Sequence, residues 1–83
     1  MNKEIELYIE RIKNAKTKDN LKQISYDFTK NTSYQIMSKE CDLIDHLCVY
    51  KECLLDDNMS KKDLSECIKV FKLPKSLIKK VES

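Results

Sequence analysis

The chain has 83 residues, 41% apolar and 36% charged, with a formal net charge of +2 and no glycine. That balance makes one small globular domain rather than a disordered tail. The missing glycine excludes phosphate-cradling loops of the G-x-x-x-x-G-K and G-x-G-x-x-G kinds, and it makes tight hairpin turns hard to build.

The charge is segregated along the chain. Residues 1–40 carry +2, residues 41–60 carry −4 and residues 61–83 carry +4. The basic last segment suits an anionic partner, or it complements the acidic middle of its own fold. No stretch reaches the ~18 apolar residues that span a bilayer, and the start MNKEIELYIE lacks the apolar run of a signal peptide. A cytoplasmic protein without membrane association is expected, its four cysteines kept as thiols in a reducing compartment.

The first predicted helix covers residues 2–14. Ile5, Tyr8, Ile9, Ile12 and Ala15 recur at helical spacing, with Glu4 and Glu6 early and Lys13 and Lys16 late, as the helix dipole favours. Leu7 falls off this stripe, as a flank of a second contact or an exposed anchor. Thr17 is placed to cap a second helix to residue 30, with Leu21, Ile24 and Phe28 inward. The short link makes the first two helices an antiparallel hairpin. Without glycine, Asn31 is the residue expected to take a left-handed cap. Residues 31–37 read as a loop, since a lone short strand would have nothing to pair with.

The longest helical pattern follows, over residues 38–57, with Ser38 as its cap. On a helical projection Ile44, Leu47, Cys48, Leu54 and Leu55 share one side, with Cys41, Leu43 and Tyr50 at its margins. An arc this wide packs against two neighbours. Lys51 stands in the middle of it; its methylenes pack while its ammonium reaches an acid or water, or it faces a cleft or a partner's carboxylate. The opposite face carries Asp42, Asp45, His46, Val49, Glu52, Cys53 and Asp56.

Ser60, with Asp63 three residues on, fits a capping box for a fourth helix over residues 61–72, with Leu64, Cys67, Ile68 and Phe71 on one stripe. Pro74 sits where a first helical residue is tolerated, and opens a last short helix with Leu77, Ile78 and Val81 inward. The expected architecture is all-α: one compact domain, residues 1–83, of four main helices plus a short C-terminal one.

The cysteines and the histidine do not read as a chemical site. Zinc ligands come as close pairs converging on one point, whereas Cys41, Cys48 and Cys53 are spaced by six and four residues on one helix. His46 and Cys53 lie about 10 Å apart along that helix, beyond the reach nucleophilic catalysis needs. Cys41, Cys48 and Cys67 read as small core residues. Cys41 and Cys48 cannot bridge each other, while a link from Cys67 to the middle helix stays geometrically open. No catalytic residue, metal or cofactor is assigned.

Two binding readings remain. The acidic face Asp42, Asp45, His46, Val49, Glu52, Cys53 and Asp56 can dock a larger protein, with Val49 and Cys53 as its apolar centre. Alternatively, residues 60–83 form a helix-turn-helix-like unit that meets nucleic acid through Lys72, Lys75, Lys79 and Lys80. Its last helix has no arginine, glutamine or asparagine to read base edges, which disfavours sequence-specific recognition. The wide apolar arc also allows a homodimer.

The run IERIKNAKTKDNLKQISYDF, followed by the Ser38-Lys39-Glu40 helix start, resembles small helical proteins encoded by phages and mobile elements of low-GC Gram-positive bacteria. The similarity covers the first half of the chain. It implies an accessory regulator or inhibitor of a host system, anti-defence factors included, and carries over no functional residue.

Overall fold

The computed structural model describes the backbone of residues 3–31 and 38–82, and the side chains of residues 3–30 and 42–82. Five helices follow one another: α1 (Lys3–Asn14), α2 (Lys18–Asn31), α3 (Ser38–Leu55), α4 (Lys61–Phe71) and α5 (Lys75–Glu82). The all-α class holds, and the described residues contain no strand.

α1 and α2 form the expected hairpin. Thr17 Oγ1 accepts from the Asn20 amide at 3.1 Å, so the predicted cap is in place. Seven residues back from the link, Tyr8 meets Phe28 edge to face at 4.9 Å. Arg11 pairs with Asp27 at 3.0 Å and also lies over the Tyr8 ring. Contact this far from the link requires the two helices to run antiparallel.

α1, α2, α3 and α5 supply the core. Ile5, Ile9 and Ile12 meet Leu21, Ile24, Phe28, Ile44, Leu47, Tyr50 and Val81 in one buried cluster. α3 is the hub, touching every other helix, and α5 returns to pack on both α1 and α3. The wide apolar arc of α3 thus packs on neighbours within the chain, with Leu43, Leu54 and Leu55 only partly covered.

α4 is different. None of its side chains is buried, and it packs on α3 alone. Leu64, Cys67, Ile68 and Phe71 are only half-covered. α4 and α5 do not pack on each other. The two helices of the expected helix-turn-helix-like unit thus dock separately on α3 and leave a groove lined by Tyr50, Leu64, Ile68 and Glu82.

Local signals place the ends of α4. Ser60 and Asp63 make the full capping box, each side chain accepting from the other's backbone amide. At the far end Lys72 adopts φ 54°, ψ 46°. Its amide donates to Lys69 O, and the Leu73 amide donates to Ile68 O at 3.1 Å, the two bonds of a Schellman motif. Leu73 then drops into the core.

Asn31, expected to be left-handed, is the last helical residue of α2; among the described residues Lys72 alone has positive φ. The sharp reversal occurs where Leu73 must be turned inward, and Pro74 stops the helix from continuing. Pro74 also sits one position earlier than expected. Its carbonyl accepts from Leu77 and Ile78, so it caps α5 instead of beginning it. Residues 32–37, where a loop is expected, lie outside the described residues, as does the Cys41 side chain.

Candidate functional site

The candidate face is best built from what surrounds α3. α2 and α1 cover the side holding Ile44, Leu47 and Cys48, and α5 joins them. α4 takes the opposite flank, running antiparallel to α3: His46 pairs with Phe71, and Cys53 pairs with Cys67 one helical stretch later. Solvent reaches what lies between α2 and α4.

This arrangement divides the seven predicted residues. Asp42, Asp45, Val49 and Glu52 recur at three- and four-residue steps and make one stripe about 15 Å long. Asp42 and Asp45 are exposed, and Val49 and Glu52 are half-buried. His46 and Cys53 leave the group. The imidazole stacks on Phe71 with ring centres 4.2 Å apart and planes 11° from parallel. Cys53 Sγ sits 4.0 Å from Cys67 Sγ. Both residues are the floor under α4, which explains two uncharged positions on an otherwise acidic face. Asp56 lies just past the helix, and its carboxylate accepts from the Asn58 amide at 3.0 Å, ordering the turn into α4.

None of the four carboxylates joins an ion pair among the described residues. Among the described residues Asp45 accepts a 3.3 Å hydrogen bond from Ser25 Oγ on α2. Between those helices runs a groove lined by Ser25, Thr29, Asp42 and Asp45 over a floor of Phe28 and Ile44. The negative field of the stripe is felt inside the protein. Cys48 is pushed up to about 12, first by burial and then by Asp45 and Glu52, so it is an inert thiol at neutral pH.

Lys51 has a structural partner set that the sequence did not suggest. Its ammonium donates to Val81 O at 2.8 Å and Lys13 O at 3.1 Å, and among the described residues it reaches no carboxylate. Both acceptors are final-turn carbonyls, of α5 and α1, which lack intrahelical donors and carry the negative end of the helix dipole. One buried cation therefore ties two helix ends to the third helix. Burial, and then nearby Lys16, pull its pKa below the ordinary lysine value. Next to it, the buried Tyr50 hydroxyl donates to the Glu82 carboxylate. Burial, then the Glu82 bond and charge, raise the phenol's pKa.

Among the described residues no three of His, Cys, Asp and Glu converge as a metal-ligand group, and no helix is long and apolar enough to cross a membrane. Lys72, Lys75 and Lys79 are exposed along the α4–α5 turn and α5, whereas Lys80 is half-buried and lines a groove with Glu6, Leu7 and Glu10 of α1. Compared with known proteins, the chain matches no family model, no curated protein and no solved structure.

Proposed function

We propose that this chain is a non-enzymatic binding protein that regulates or inhibits a larger host protein through the acidic stripe of α3. The observation that carries the reading is the stripe itself. Asp42, Asp45 and Glu52 face outward around Val49 with no basic side chain in ion-pair range among the described residues, in a chain with sixteen Lys and Arg. With no described basic side chain paired to it, such a row draws a basic surface electrostatically. The role is in keeping with the resemblance to accessory proteins of mobile elements.

The stripe alone is too small to hold a partner. About 15 Å by 10 Å is far below the ~800 Å² per side of a stable interface. The groove toward α2, with Ser25 and Thr29 on its rim, extends it in the direction where polar side chains are already present. A partner presenting lysine or arginine around an apolar socket for Val49 fits this surface. The non-enzymatic part of the reading is supported by the one histidine being stacked on Phe71 and by the high pKa of Cys48.

The test is a triple charge reversal, D42K/D45K/E52K, compared with wild type in affinity capture from host lysate and then with the purified partner. Wild type should retain a partner whose binding weakens as salt rises, and the variant should lose it while keeping the same helical content. Equal capture by both would sink the acidic-face reading. Salt-sensitive capture of nucleic acid, lost on neutralising Lys72, Lys75, Lys79 and Lys80, would replace it with the basic-unit reading.

A further inference from the structure

The contact between α3 and α4 contains a feature that the binding face does not use: two thiols facing each other across it. Cys53 comes from the last turns of α3 and Cys67 from the middle of α4, with their sulfurs 4.0 Å apart. Both are free and half-buried. They differ from Cys48, which is 5% exposed within the core. A disulfide needs the sulfurs at about 2.05 Å, so closure asks for roughly 2 Å of approach by side-chain rotation and a small slide of α4. The helix that would slide is the one with no buried side chain and a single neighbour. We propose that Cys53 and Cys67 are a redox modification site, a dithiol that closes to an intramolecular disulfide and latches α4 to α3.

The oxidant is a small-molecule disulfide. One protein thiolate attacks it, forming a mixed disulfide and expelling one small thiolate. The second protein thiolate then attacks the protein sulfur of that mixed disulfide and expels the other. Two protein thiols thus lose two protons and two electrons, and one small disulfide becomes two thiols. Cys53 is held in its protonated form above the usual thiol range, first by burial, then by Cys67, then by Glu52 and Asp56. Closure is accordingly slow at neutral pH, which suits a latch set by sustained oxidising conditions better than a fast sensor.

The latch has two states of different mobility. As a dithiol, α4 can lift from α3 and expose Leu64, Ile68 and Phe71, which are only half-covered when it is docked. As a disulfide, that opening is closed off, because the bond spans the one interface holding the helix. The segment it closes, residues 53–67, includes the turn at Asp56–Asn58 and the capping box, so the cross-link constrains a stretch the native state already orders.

The experiment uses the full chain. Reduced protein is incubated with excess oxidised glutathione at submicromolar concentration, free thiols are alkylated, and a tryptic digest is mapped. Cleavage after lysine separates the relevant cysteines cleanly: residues 52–61 hold Cys53, residues 63–69 hold Cys67, and residues 40–51 hold both Cys41 and Cys48. The expected product is 52–61 linked to 63–69, reversible with dithiothreitol. A rise in Tm of about 10 °C and slower amide exchange in α4 should accompany it. Cys53→Ser and Cys67→Ser should each lose the link and the Tm shift, while Cys48→Ser should keep both. A link involving residues 40–51, glutathione adducts without an internal link, or interchain dimers as the main product would each overturn the proposal. The wild-type map stands even where a variant fails to fold.

Discussion

Replacing Lys51 by methionine keeps a flexible, unbranched side chain one atom shorter and removes its charge and its donors. Two charge-assisted hydrogen bonds then vanish, to Val81 O and Lys13 O, each worth about 1.5–3 kcal/mol net. Methionine returns part of this, roughly 1 kcal/mol, because the position is buried and no ammonium need be desolvated. The expected loss is about 2–5 kcal/mol, against the roughly 4–12 kcal/mol that a chain of this length has in total. In a thermal melt followed by circular dichroism that is a Tm drop of about 10–20 °C. Urea titration should show a lower midpoint with unchanged slope, since the same surface is buried.

The pH dependence adds a second signature. With its folded pKa held below the ordinary 10.5, Lys51 releases its proton from the native state before the unfolded chain does. Through that window the unfolded state binds more protons, so this lysine makes stability rise with pH. Below the window both states are protonated and it contributes no slope. Lys51→Met should erase this alkaline rise. A variant as stable as wild type would refute the reasoning, since it would mean that burying the ammonium costs as much as its two bonds return.

Three further perturbations follow from the same geometry. Lys72→Gly should stabilise by about 1 kcal/mol by removing the left-handed penalty of a β-carbon at φ 54°, read as a higher urea midpoint. Ser60→Ala should cost about 1 kcal/mol through loss of the capping box, with amide exchange accelerating in α4 before any other helix. Tyr50→Phe should cost about 1–2 kcal/mol for its bond to Glu82. It should also flatten the decline above pH 10.0, where the raised phenol pKa makes native stability fall as the unfolded tyrosine ionises first.

What the sequence made legible was mostly local. The period of Ile5, Ile9 and Ile12, the Ser60–Asp63 box and the Leu77–Ile78–Val81 stripe act within a turn or two, and each reappears in the fold. The contacts of Cys53 and His46 with α4 are hidden from a projection for a reason it cannot repair. It treats one helix at a time, and α4 covers a flank that would otherwise be outer surface. Lys51 was visible as an anomaly but not as a solution. Its acceptors are backbone carbonyls 38 and 30 residues away, and a carbonyl has no residue-type signature. The same blindness hid the separation of α4 from α5: proline and a short turn are compatible with a packed pair and with a splayed one.

The return of α5 onto α1 has a consequence for how the protein is made. Ile5, Ile9 and Ile12 are translated early, yet the cluster they join includes Leu77, Ile78 and Val81. At ~5–20 residues per second, roughly 3–13 s separate the end of α1 from the synthesis of Val81. During that interval the nascent chain holds an apolar strip with part of its cover missing. α2 can shield one side by closing the hairpin, and α3 another, but Lys51 has only one of its two carbonyl acceptors until the last helix emerges. Final closure therefore comes late, once α5 is available to pack on α1 and α3, and substitutions in α5 should show themselves first as lower yield of soluble chain.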